Sequence, residues 1–321
     1  MTDTTLQVNL SPGDAGYADL TVPALLDAHP DAAERLVIID GCKPQATGIV
    51  DPARRFPEPA FSQRLARVTA LADRWLSEGR VGRVVVLRPG DPIFTVLSRK
   101  YLRPWVRETH DYGGCALMSY LAAFELCSTR WLLHYDADML LHQEAGFDWV
   151  GHAQAAMADH PSVVAATPRP SPPTLEGPDA PTNVERLPLH SHPAGWMNIW
   201  FSTRCYLFDL EGLRQCLPLM QGRTYWEVLA ARILRRGYPR SPEILLCLRM
   251  AAAGRTRLAL RDRRAWLLHP LQKDAAFVAA LPRLLAAIRE GRCPVGQRGC
   301  VDLDLRKWEQ MLAQPEDFAK P

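Results

Sequence analysis

At 321 residues, with 47% hydrophobic and 23% charged side chains, the chain has apolar material for one large α/β domain or two modest ones, and its composition nowhere suggests long disorder. A net charge of +3, with no Lys/Arg cluster interleaved with aromatics, argues against nucleic acid as a partner. No apolar run is long enough to span a bilayer, and MTDTTLQVNLSPGD has neither the basic nor the apolar region of a secretion signal, so the expected location is cytoplasmic. There the eight cysteines default to free thiols; Cys293 and Cys300 flank PVGQRG, but at a spacing outside the standard zinc patterns. The basic segments RRGYPR and Arg255 to Arg264 read as solvated faces.

Short β-branched runs alternate with helical patterns, which predicts a mixed, mostly parallel sheet covered by helices. Leu6 to Leu10 is the first strand, SPGDAGY the loop leaving it, and Thr21 with Pro23 opens a helix. RLVIID ends a second strand at Asp40. Phe61 to Gly79 has apolar residues at helical spacing, and RVVVL is the third strand. CALMSYLAAFELC is an apolar helix that leads into the strand WLLHYDAD, with SVVAAT as the next strand. Between Pro168 and Pro193 lie 8 of the 27 prolines, which rules out a central strand or helix and marks a long, functional loop that would fold over a bound ligand. Beyond it come WMNIWF, the strand CYLFD, the helix EGLRQCLPLM, helices over Tyr225 to Gly237 and Pro242 to Gly254, the strand RAWLLHP, and a helical stretch from Lys273 to Glu290 before a short tail.

The chemistry concentrates in HYDADML. An apolar strand stops at Asp136, and Asp138 follows at i+2, so both carboxylates sit at a strand's carboxyl end, where open α/β sheets gather ligands. Hard oxygen ligands suit Mg²⁺ or Mn²⁺, with a diphosphate completing the shell. The same pair also suits the cap of a following helix, and D-x-D recurs by chance.

The order of motifs resembles a GT-A glycosyltransferase of the large family-2-like bacterial group over roughly residues 6 to 270. HYDADMLL stands where that fold has its D-x-D motif, DYGGCALMSYLAAFELC where it has a Gly-containing loop and helix, and WEVLAARILRRGYPR and RAWLLHP where its later helix and last strand fall. The resemblance implies a GT-A (Rossmann-like) domain over 1–270, with a nucleotide-sugar half to about 140, an acceptor half beyond it, and a C-terminal helical extension over 271–321. It implies a nucleotide-sugar donor linked through UDP, GDP or dTDP, with Asp138 and His269 as metal ligands and Asp136 on the metal or the ribose. Asp40 would contact the base, Asn9, Ser11 and Pro12 would form the first nucleotide loop, Gly113 and Gly114 would allow close approach of a ribose, and Lys273 would meet the diphosphate. His190, His192, Trp196 and Trp200 would shape the site of an unidentified acceptor.

An inverting transferase needs a carboxylate to take the acceptor's proton. Glu227 is the candidate, with Asp111 in reserve, but the family's acidic pair is replaced by Tyr225-Trp226-Glu227, one helical step of about 100° out of place. That displacement leaves a catalytically inactive nucleotide-binding protein as the alternative. A phosphatase of the haloacid-dehalogenase kind also uses D-x-D after a strand, but on an early strand and followed by Thr or Val, whereas Met139 and Leu140 follow here. A sugar nucleotidyltransferase would want basic residues in NLSPGDAGYAD, which has none.

Overall fold

The computed structural model describes residues 3–175 and 190–313. In chain order, β1 (Thr4–Leu10) leads through a 3-10 turn (Pro12–Gly16) to α1 (Ala18–Asp27), β2 (Glu34–Asp40), α2 (Pro52–Arg55), α3 (Ala60–Ser77) and β3 (Arg83–Leu87). Next come α4 (Ile93–Tyr101), α5 (Met118–Leu126), β4 (Trp131–Asp136), β5 (Leu140–Gln143), α6 (Trp149–Ala158) and β6 (Val163–Thr167). Beyond the long loop lie β7 (His190–His192), β8 (Gly195–Asn198), β9 (Cys205–Asp209), α7 (Leu210–Arg214), α8 (Gly222–Ile233) and α9 (Pro242–Ala252). The chain continues through β10 (Thr256–Leu260), β11 (Ala265–Pro270), α10 (Ala275–Arg289), β12 (Asp302–Leu303) and α11 (Leu305–Ala313).

The fold is mixed α/β. Nine strands form one sheet in the order β3-β2-β1-β4-β9-β6-β10-β8-β7, and β12-β11-β5 form a small second sheet. From β3 to β4 every pairing is parallel, while beyond β4 antiparallel pairings enter. Helices cover both faces, which explains why β2 reads as a nearly unbroken apolar run and why even the polar Thr4, Thr5 and Gln7 of β1 are buried. One face buries Leu6, Val8, Leu133 and Tyr135 with Trp75 and Trp149; the other buries Ile38, Leu132 and Tyr206. A third cluster, under the small sheet, joins Tyr17, Leu140 and Trp266 to Phe277 and Leu284 of α10 and Trp308 of α11.

Several local expectations are corrected. The basic run from Arg255 is no solvated face: residues 256–260 form β10, a buried strand inside the large sheet, whose apolar Leu258, Ala259 and Leu260 the flanking arginines disguise. EGLRQCLPLM is helical only over Leu210–Arg214, because Pro218 cannot continue the ladder. Helix α1 starts at Ala18 and carries Pro23 within it. The expected short tail contains α11, anchored by buried Trp308 and Met311. Residues 176–189 of the Pro-rich loop, expected to close over ligand, lie outside the described residues.

Candidate active site

The parallel half of the sheet sets β2, β1 and β4 side by side with their carboxyl ends together, Asn9 opposite Asp136 in register. Above those ends lies a cavity of about 450 Å³, a volume in the range of small-molecule sites. Asn9, Ser11 and Pro12 line it from the β1 side, Asp40 from β2, and Asp136 and Asp138 from β4, while Gly114 and Lys273 close it from the neighbouring loops.

Each wall has a local cause. Ser11 and Asp14 form a reciprocal cap, with the Ser11 amide donating to Asp14 Oδ2 at 2.6 Å and its hydroxyl at 2.9 Å, and Tyr17 Oη donating to Asp14 Oδ1. Burial pushes the Asp14 carboxyl up to about 6, against the pull of those donors. Asp40 is likewise raised by burial, to about 7, although the Cys42 amide donates to it; His110 Nε2 lies 3.6 Å away, and burial lowers that imidazole to about 4. Gly114 adopts φ 80°, and a Cβ there would come 3.1 Å from Arg55 Nη1, so the loop closes tightly only with glycine.

The two D-x-D carboxylates are held differently. Two hydrogen bonds to Asp136 converge on Oδ1, from Tyr120 Oη at 2.7 Å and from His134 Nε2 at 3.2 Å. Beneath them His134 Nδ1 meets Gln7 Oε1, and Gln7 donates to Asn9 Oδ1 at 2.8 Å, a polar chain running under the cavity floor. Burial raises the Asp136 carboxyl. Burial also pushes Asp138 upward, but the His269 imidazole and the Lys273 ammonium outweigh it and hold that carboxyl below its usual range. Lys273 pairs with Asp138 Oδ2, and His269 Nε2 lies 3.6 Å from the same oxygen. The small sheet makes this meeting: Leu268 pairs with Leu140, which brings His269 alongside the D-x-D turn, and His269 pairs with Asp302 of β12, 3.4 Å from its Nδ1. Two buried polar atoms here have no hydrogen-bond partner, Asp138 Oδ1 and Asn9 Nδ2.

Other expected residues lie elsewhere. Asp111 turns its Oδ1 into its own loop, accepting from the Cys115 amide at 2.9 Å, and burial raises it; Gly113 sits beside it, with its carbonyl accepting from Arg55. Glu227 is on α8, 2.7 Å from Arg223 and away from the cavity wall. His190 and His192 on β7 and Trp196 on β8 occupy the far edge of the sheet, four or five strand spacings, roughly 20 Å, from β4. Trp196 stacks between the guanidinium groups of Arg169 and Arg261, at 5.3 and 5.4 Å, His192 packs on His160, and Trp200 is exposed. Gly195 is required there, since a Cβ would fall 2.0 Å from the Ala259 carbonyl oxygen.

Sequence reasoning passed over Asp14, Tyr17, Tyr120, His134, Asp302 and Glu243. Ser11-x-x-Asp14 is a visible capping pattern, and His134 precedes Asp136 by two on one strand face, so both were in principle legible. Glu243 was not: its Oε1 accepts from the Thr203 amide at 2.9 Å and hydroxyl at 3.2 Å, and its charge acts on Cys115 of the cavity wall.

No protein-family model matches the sequence, and no curated protein matches it. Among solved structures, the chain is similar to GalNAc-T7 in a crystal structure with UDP, GalNAc and Mn²⁺, at 10% identity and TM-score 0.42, over 83% of this chain but only 43% of that one. It is similar to the galactosyltransferase LgtC in complex with donor and acceptor sugar analogues, at 12% identity and TM-score 0.39, over 88% and 95% of the two chains. It is also similar to residues 1–349 of S. aureus TarS, at 11% identity and TM-score 0.37, over 97% and 69%. These likenesses concern overall arrangement, and the functional reading rests on the cavity itself.

Proposed function

We propose that the chain is a glycosyltransferase of the GT-A type that binds a nucleotide-sugar donor in the cavity above β1, β2 and β4. The observation that carries this reading is Asp138: its Oδ1 is buried and unpartnered at the carboxyl end of a strand, one wall of a cavity large enough for a nucleotide. Asn9 Nδ2, a buried donor also without a partner, belongs to a residue lining the same space and would serve a base or ribose oxygen. Asp40 offers the base a carboxyl, and Gly114 leaves room for the ribose. Lys273 supplies a positive charge that a diphosphate draws from Asp138.

Among the described residues no group of three or more His, Cys, Asp or Glu side chains stands ready to hold a metal ion. The donor types nevertheless fit Mn²⁺ or Mg²⁺ completed by a diphosphate, because an orphaned carboxylate oxygen marks the spot. Asp138, His269 and Asp136 are the residues that would hold the ion, and it would neutralise charge on the departing nucleoside diphosphate. For the acceptor's proton, Glu243 is better placed than Glu227, since its charge acts on Cys115 of the cavity wall whereas Glu227 is paired with Arg223. Residues 1–140 would then form the donor half, 141–270 the acceptor half, and 271–321 the extension that delivers Lys273.

The test is incubation of the full chain with UDP-, GDP- and dTDP-sugars and Mn²⁺, reading release of nucleoside diphosphate. The expected result is release from one nucleotide class, abolished by Asp138→Ala. Binding without release would favour the inactive nucleotide-binding alternative; neither binding nor release would remove the reading.

A further inference from the structure

Helix α8 wears its apolar side outward. Of its twelve residues only Val228 is buried. At about 100° per residue, Trp226, Ala230 and Ile233 fall within one narrow sector, and Leu234 follows at its edge, opposite Val228. Trp226, Ile233 and Leu234 are 67%, 72% and 67% exposed. The inner face is anchored instead by Arg232, whose guanidinium lies over Trp105 at 4.8 Å, and by Tyr225 against the same ring. Beyond the helix come Arg235, Arg236 and Arg240. Among the described residues no carboxylate pairs with any of them, and Glu108, which lines the same hollow as Arg235, takes the hydroxyl of Tyr238. A soluble helix normally places such a sector against its own core.

We propose that the outer face of α8 and the arginine turn after it form a docking surface for an anionic lipid bilayer. The chemistry matches an interfacial helix: Trp, Ile and Leu enter the headgroup boundary, and unpaired guanidinium groups meet lipid phosphates at its level. No helix among the described residues is long and apolar enough to cross a membrane, so the contact is peripheral. The surface is also wired to the cavity. The Tyr112 amide donates to the Pro239 carbonyl at 2.7 Å, and Tyr112 belongs to the loop that carries Gly114 and Cys115 into the cavity wall. Docking by this face therefore puts the membrane beside the turn that holds the cavity's loop. On the transferase reading, that placement selects an acceptor carried in the lipid phase; the docking itself does not depend on that reading.

The test is co-sedimentation of the full chain with vesicles of phosphatidylcholine alone and of phosphatidylcholine with phosphatidylglycerol, at low and high salt. Binding to the anionic vesicles, weakened by salt, is expected. Arg235→Ser with Arg236→Ser should weaken it by roughly 25-fold, about fivefold per arginine. Ile233→Ser with Leu234→Ser should weaken it at least tenfold, and both pairs should melt like the wild type because these side chains support no packing. Absence of vesicle binding at low salt, binding unchanged in both pairs, or a wild-type dimer that Ile233→Ser and Leu234→Ser convert to monomer without lipid would each overturn the proposal. Nucleotide binding measured without vesicles separates the two ideas: its failure would sink the transferase reading and leave the docking result standing.

Discussion

The two halves of the large sheet solve different problems. From β3 to β4 the strands are parallel, and β1, β2 and β4 bring Asn9, Asp40, Asp136 and Asp138 to the cavity at their carboxyl ends. From β9 to β7 antiparallel pairs enter, and the centre of the aromatic edge is taken up in packing: the guanidinium groups of Arg169 and Arg261 lie over the Trp196 ring, and Gly195 is pressed onto β10. The difference teaches that an aromatic and histidine-rich stretch is not by itself a binding surface. Buried polar atoms without a partner occur in both halves, Asn198 Oδ1, Tyr206 Oη and Arg257 Nε in the second; what sets the first apart is that two of its own, Asp138 Oδ1 and Asn9 Nδ2, belong to residues lining one cavity.

This contrast can be broken or sharpened by substitution. The largest effect should follow Asp138→Ala, which removes the orphaned oxygen and strands Lys273; donor turnover should fall by at least about 10²-fold, read as nucleoside diphosphate release. Next, Glu243→Gln should lower transfer by roughly 10²-fold or more while Glu227→Gln leaves it within about twofold, measured with saturating donor. The reverse ranking would return the proton acceptor to α8.

Protonation gives a third test. Burial raises the folded-state carboxyl of Asp40 to about 7, above its ordinary value near 3.8. The proton bound in the folded state therefore stabilises the protein at low pH, and that stability is lost as pH rises from about 4 through 7. Relative to Asp40→Asn, the wild type should lose on the order of a few kcal/mol across that window, measured by urea unfolding at each pH. A flat difference would mean that Asp40 is ionised throughout. On the far half, Gly195→Ala should cost roughly 1–3 kcal/mol of stability, seen as a lowered melting temperature, with the donor affinity of the surviving folded protein unchanged.

Much of the donor half was legible in the sequence because its strands are unbroken apolar runs that stop at polar residues: RLVIID at Asp40, WLLHYD at Asp136. RVVVL and CYLFD coincide with β3 and β9 for the same reason. The hidden elements are those whose pattern is set by tertiary contact. TRLAL was masked by its arginines, although Arg257 is buried within the sheet. LLHQ formed a strand only because AWLLHP was available to pair with it, and that pairing is what carries His269 to Asp138. Glu243 was invisible since it is held by Thr203, forty residues away in sequence, and reaches the neighbourhood of Cys115 only through the fold. In α8, a helix was expected over Tyr225 to Gly237, but that its Trp226 and Ile233 turn to solvent is visible only in the structure.

The central claim is that the orphaned oxygen of Asp138 marks a nucleotide site. The most direct measurement is titration calorimetry of UDP, GDP and dTDP, each with and without Mn²⁺, into the wild type and Asp138→Ala. The account predicts saturable binding of one nucleotide to the wild type, strengthened by the ion, with both the binding and the ion's effect lost in the variant. Equal binding to both proteins, or none to the wild type, would contradict it.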